Sequence, residues 1–105
     1  MDSEDVLYDV IIIDGERTHE VFRFNRFVVE LGCFTLTEKT GIRKYHIKEY
    51  VLGREIYLIG VSSAANITLT EEEFKQLFNN ALIEGANTSP PNTPFRINPF
   101  KYLNL

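Results

Sequence analysis

Apolar residues recur along this chain with two different periods, and the periods divide it. From Ile67 to Gly85, the segment ITLTEEEFKQLFNNALIEG places Phe74, Leu77, Phe78, Ala81 and Leu82 at steps of three and four. That spacing makes one stripe of an amphipathic helix, with Lys75, Gln76, Asn79 and Asn80 on the wet face. Thr70 reads as its N-cap, Glu73 completes a capping box, and Leu69 with Phe74 forms a hydrophobic staple. Glu71, Glu72 and Glu73 put negative charge where the helix dipole favours it. Gly85 reads as the C-terminal stop, and the ITLT before the helix as a strand leading into it.

Elsewhere the period is two. Val6 to Ile13, VLYDVIII, predicts a strand buried on most of both faces, and Asp14-Gly15 a two-residue hairpin turn sending the next strand back along it. Glu20 to Leu31, EVFRFNRFVVEL, fits two patterns. Val21, Phe24, Val28 and Leu31 line a helix that Gly32 would end; the wealth of Val and Phe instead favours a strand whose phase changes through a bulge at Asn25-Arg26. The strand is taken. Cys33 to Thr37 is a further strand, and Glu38 to Gly41 a turn. In RKYHIKEYV, from Arg43, the residues Tyr45, Ile47 and Val51 share one face and Lys44, His46, Lys48 and Tyr50 the other. A turn at Leu52 to Glu55 leads to a fifth apolar strand, Ile56 to Val61, and a loop from Ser62 to Asn66. Strands followed by a helix predict an α+β architecture, an antiparallel sheet with helical cover on one side.

Residues 1–5 are expected to fray, and residues 1–86 to form one domain. Residues 87–94, NTSPPNTP, make a stiff connector that lacks backbone donors at Pro90, Pro91 and Pro94. Residues 95–105 form an apolar tail that either docks on its own sheet or engages a partner through Phe95, Ile97, Phe100 and Tyr102. Within it, Asn98-Pro99-Phe100 matches a short motif that endocytic adaptor domains bind.

Composition narrows the class. Of 105 residues, 44% are hydrophobic and 25% charged, as in an ordinary globular domain. No apolar run approaches the roughly 20 residues needed to span a bilayer. The acidic start MDSEDVLYDV lacks a secretory pattern, and a single cysteine, Cys33, provides no disulfide framework; an intracellular protein, cytoplasmic or nuclear, is expected. Net charge is −4. From Arg17 to Arg54, however, eight basic residues face four acidic ones, which is +4, and the remainder carries 3 − 11 = −8. Bulk acidity argues against coating duplex DNA but leaves room for one cationic surface.

Constellations for catalysis do not emerge. His19 and His46 lack cysteine or carboxylate partners at metal-ligand spacing, Cys33 reads as a buried inert thiol, and the scattered glycines build no phosphate loop. Neither an enzyme nor a bound cofactor or metal is expected. Cations and rings do interleave in FRFNRF (Phe22 to Phe27) and RKYHIKEY (Arg43 to Tyr50), the mixture that single-stranded nucleic-acid sites use for phosphates and bases.

KYHIKEY followed by NITLTEEEFKQLF resembles the transcriptional coactivator family known as positive cofactor four, and more distantly the plant Whirly proteins. The likeness covers Lys44 to Leu82, with Asn66 where the family has glycine and an extra apolar run, IYLIGV, in between. It implies a strongly curved antiparallel sheet followed by one helix, dimerisation through that helix, and single-stranded DNA on the sheet face. Lys44, Lys48 and Tyr50 would lie on that face; Arg23, Arg26, Arg43 and Arg54 join them on charge alone. Phe74, Leu77, Phe78, Ala81 and Leu82 would form the dimer interface. The expectation is a homodimeric, non-enzymatic single-stranded nucleic-acid-binding protein, akin to a transcription or replication cofactor. Its rival is a small protein–protein adaptor or inhibitor, viral or from a mobile element, acting through its acidic surface and apolar tail.

Overall fold

The structure, a computed structural model, describes residues 6–104. The expected fraying of residues 1–5, and Leu105 of the tail, lie outside the described residues. Strands β1 (Tyr8–Ile12), β2 (Val21–Phe24), β3 (Cys33–Glu38), β4 (Gly41–Leu52) and β5 (Glu55–Ser62) lie in the order β2-β1-β5-β4-β3. A two-residue β6 (Lys101–Tyr102) pairs with the start of β5. Helix α1 (Arg26–Leu31) connects β2 to β3, and α2 (Glu71–Thr88) follows β5. The class is α+β, as its pattern predicts. The sheet is mixed rather than purely antiparallel, because β5 returns beside β1 running parallel to it, Val10 opposite Leu58.

The sheet curls until its two ends meet. Phe24 on β2 and Phe34 on β3, at opposite ends of the strand order, have ring centroids 4.4 Å apart. The inner face holds Val10, Ile12, Tyr45 and Leu58, with Phe22, Phe34, Leu36, Ile47 and α1's Val29 packed around them. Gly60 makes this curl possible: a Cβ there would stand 2.8 Å from Phe34 Cζ and 3.0 Å from Ile12 Cδ1. On the outer face Ile11, Ile13, Tyr57, Ile59 and Val61 meet the apolar stripe of α2, where Phe74 and Ala81 are fully buried. Burial of a side chain the size of Phe74 contributes about 1.5–3 kcal/mol. Thr70 and Glu73 form the predicted capping box, 3.1 and 3.2 Å.

Four local expectations are corrected. Asp14-Gly15 is not a two-residue hairpin turn; pairing with β1 resumes only at His19, whose N–H donates to the Ile12 carbonyl at 2.7 Å, and Glu20, whose carbonyl accepts Ile12 N–H at 2.9 Å. Asp14 is drawn instead toward β5, its Oδ1 accepting Ser62 N–H at 2.8 Å. The 20–31 segment is strand and then helix, without a bulge. Asn25 caps α1 through Val28 N–H, and Gly32 ends it at φ 80°. ITLT joins no ladder; Ile67 and Leu69 pack on the outer cluster and the Leu69 carbonyl accepts the Tyr50 hydroxyl. Finally, α2 runs through Gly85 to Thr88. A Cβ at Gly85 would run into the Phe95 ring, so this glycine is a seat for the tail rather than a stop.

The tail docks on its own chain. Ile97 is buried, Phe95 joins the outer cluster and Phe100 the inner one, edge-on to Tyr8 at 5.4 Å. Phe100 N–H donates to the Ile56 carbonyl at 2.7 Å, and Asn98 N–H to the buried Asp9 carboxylate at 2.7 Å. Asn98-Pro99-Phe100 is thereby held against the sheet.

Candidate binding surface at the open edge of the sheet

In chain order each strand pairs with the next around the curl, with one exception. β1 pairs β2, β3 pairs β4, β4 pairs β5, and β5 closes on β1. No ladder joins β2 to β3, although their inner rings touch. Between them the sheet has a seam, bridged at one end by α1.

Register fixes which backbone groups line that seam. Ile47 N–H donates to the Gly32 carbonyl at 2.8 Å, so Phe34, Leu36 and Glu38 continue the hydrogen-bonded positions of the β3–β4 ladder. Cys33, Thr35 and Thr37 therefore turn their N–H and C=O groups away from β4. Two contacts bear this out: the Thr37 carbonyl accepts Arg17 Nη2 at 3.3 Å, and Lys39 N–H donates to the Glu16 carboxylate at 2.9 Å. Glu20, just before β2, and Phe22 and Phe24 on it bond to β1, which leaves Val21 and Arg23 facing the seam. Below Thr37, the main-chain groups of Val21, Arg23, Cys33 and Thr35 find no partner among the described residues. At the α1 end, Phe27 and Leu31, one helical turn apart, are 67% and 73% exposed.

The other end is plugged by a polar cluster. Glu38, buried at the end of β3, accepts from Arg43 Nε, from Tyr45 Oη at 3.1 Å and from Glu16 N–H at 3.0 Å. The Arg43 hydrogen bond, ahead of every other influence, holds the Glu38 carboxyl below the usual range. Burial first, then Glu38, pushes Tyr45 up to about 12. Tyr45 also donates to the Asp14 carbonyl at 3.2 Å, tying the 13–20 loop across the inner face.

The cations expected to share one face are separated by the fold. Arg23 pairs with buried Asp9 at 3.0 Å, Arg26 with Glu30 at 2.8 Å, and Arg43 with Glu38. Arg54 sits in the β4–β5 turn. Tyr50 is packed against Phe74, ring centroids 4.3 Å apart, under α2. Lys44 and Lys48, with His46 between them, stand exposed in a row on the outer face of β4, and no carboxylate of the described residues lies within ion-pair distance of either lysine. The proposed dimer stripe is occupied within the chain: Phe74 and Ala81 are buried and Leu77, Phe78 and Leu82 pack on the sheet. Of the tail residues offered to a partner, Phe95, Ile97 and Phe100 are docked and Tyr102 remains exposed.

Sequence reasoning passed over the seam and both buried carboxylates, Asp9 and Glu38. Alternation in CFTLTE was a signal for a half-exposed strand, but nothing local says on which side it lacks a neighbour. Cys33, expected to be buried, is half-exposed on the outer face opposite His46. Among the described residues no group of three His, Cys, Asp or Glu side chains gathers to hold a metal ion, and no helix is long and apolar enough to cross a membrane. Comparison of the chain with protein-family models, with curated proteins and with solved structures finds no match.

Proposed function

We propose that this chain is a non-enzymatic protein-binding module, an adaptor that takes an extended segment of its partner along the open edge of β3. One observation carries the reading: the outward main-chain groups of Cys33 and Thr35, with Val21 and Arg23 across the seam, find no partner among the described residues, beside a rim exposing Phe27 and Leu31. A strand edge of this kind binds by main-chain hydrogen bonds and gains selectivity from alternate side chains. The docked tail removes the adaptor's expected arm and moves the contact to this edge.

The exposed row of Lys44, His46 and Lys48 favours a second reading, single-stranded nucleic acid held by its phosphates on the outer face of β4. Base stacking would have little part in it, since the rings of FRFNRF and RKYHIKEY lie mostly in the core. Amide chemical-shift titration separates the two. A blocked peptide of alternating valine and threonine should move Val21, Arg23, Cys33 and Thr35. Oligo-dT should move Lys44, His46 and Lys48 if the second reading holds. Shifts in the second set alone replace the first reading, and shifts in neither set remove both.

A further inference from the structure

We infer that the segment this edge receives alternates apolar with acidic residues; the inference rests on the strand-addition reading above. A strand laid against β3 must point successive side chains inward and outward. Inward, its neighbours are the rings and aliphatic groups of Phe24, Phe34 and Leu36. Apolar side chains match those groups, and the Phe24 and Phe34 rings, 4.4 Å apart, would part to admit them. Outward, it would lie beside Cys33 and Thr35 of β3, which bring no charge of their own.

The outward charges nearby are positive. Across the seam Arg23 presents a side chain 53% exposed, and its partner Asp9 is almost wholly buried beneath it. One strand beyond β3 stand Lys44 and Lys48, opposite Thr35 in the case of Lys44. Arg17 spans the upper end of the seam, its guanidinium 5.8 Å from the Phe22 ring centre while it donates to Thr37. At that upper end Glu16 and Glu20 are engaged with Lys39 N–H and Arg17, and Glu84 of α2 stands beside them, so the acidic groups gather above Thr37 and not along Cys33 and Thr35. Of the eight basic residues between Arg17 and Arg54, four stand round this edge, Arg17, Arg23, Lys44 and Lys48, and only the two lysines lack an ion-pair partner among the described residues. Uniform bulk attraction is a poor account of it, because the protein as a whole is at −4. An outward row of Asp or Glu meets that local field, and a row of Lys is repelled by it.

Three fluorescent eight-residue peptides with blocked ends test this on the full chain by anisotropy: valine alternating with glutamate, with threonine, and with lysine. The glutamate peptide should bind at least tenfold more tightly than the lysine peptide, with the threonine peptide between, and the spread should narrow as salt is raised. Lys44→Glu with Lys48→Glu should shrink or reverse the order. Thr35→Pro should abolish binding of all three while the circular dichroism stays unchanged, since the Thr35 N–H makes no ladder bond. Should that variant misfold, a glutamate peptide N-methylated on alternate amides serves instead and should not bind. Equal binding of all three peptides overturns the acidic preference and leaves strand addition standing. Failure of all three overturns both, as does binding of oligo-dT alone. A dimer seen by light scattering and lost in Thr35→Pro, with no peptide bound, overturns the inference by assigning the edge to a second copy.

Discussion

Glu38 holds the closed end of the curl together. Its carboxylate is surrounded by donors on Arg43, Tyr45 and the Glu16 backbone, and the loop that carries Glu16 also receives the Tyr45 hydroxyl. Its pKa in the folded chain is depressed, so the stability it supplies is complete above the unfolded value of about 4.3 and is lost as pH falls below it through the folded value. Acid denaturation followed by circular dichroism should therefore begin below about pH 4, and Glu38→Gln should unfold at lower temperature at pH 7 with a shallower acid limb. The phenols behave oppositely. Tyr45 is raised to about 12, and Tyr57 is raised further by burial and by Glu55. Between the unfolded value near 10 and those folded values the native chain keeps protons that the unfolded chain has released, so stability falls as pH rises through this window. Spectrophotometric titration should show two of the five tyrosines ionising late, with the loss of structure.

At the scale of elements, the meeting of α2 with the tail sets two effects of opposite sign against each other at Gly85. Alanine inside a helix is favoured over glycine by about 0.8–1.0 kcal/mol. Here an added methyl would meet the Phe95 ring, and overpacking of that kind costs about 1–3 kcal/mol. Gly85→Ala should thus destabilise in urea, while in a Phe95→Ala background the same change should become neutral or stabilising. The non-additivity of that cycle is the measurement. Loss of the capping box in Thr70→Ala should cost about 1 kcal/mol independently. The helix was legible in the sequence from its cap to its stripe because each of those signals is local. Its end was misread because the reason for Gly85 lies ten residues away, in a ring the sequence does not place. EVFRFNRFVVEL failed in a related way: Asn25 marks a helix start as well as a change of phase, and six residues are too few for either period to dominate. The open edge was hidden altogether, since pairing of β5 with β1 is a property of topology.

Across the whole molecule, the chain passes once around its own inner core and stops one ladder short of closure. Rings from both ends of the sheet fill the interior, α1 bridges the gap, and the 13–20 loop with Arg17 and Glu16 covers its upper part. What remains is a short stretch of main chain with its bonding groups directed at solvent. Amide exchange reads this directly, because protection should follow the register residue by residue. Phe34 and Leu36 should exchange slowly and Cys33 and Thr35 fast; Phe22 and Phe24 should be slow where Val21 and Arg23 are fast. The alternation discriminates between causes. A frayed β3 would exchange quickly at every position, and a β2–β3 ladder formed in solution would protect them all. Only an ordered strand with a vacant side gives protection with a period of two, and a bound partner strand should then slow Cys33 and Thr35 while leaving Phe34 and Leu36 as they were.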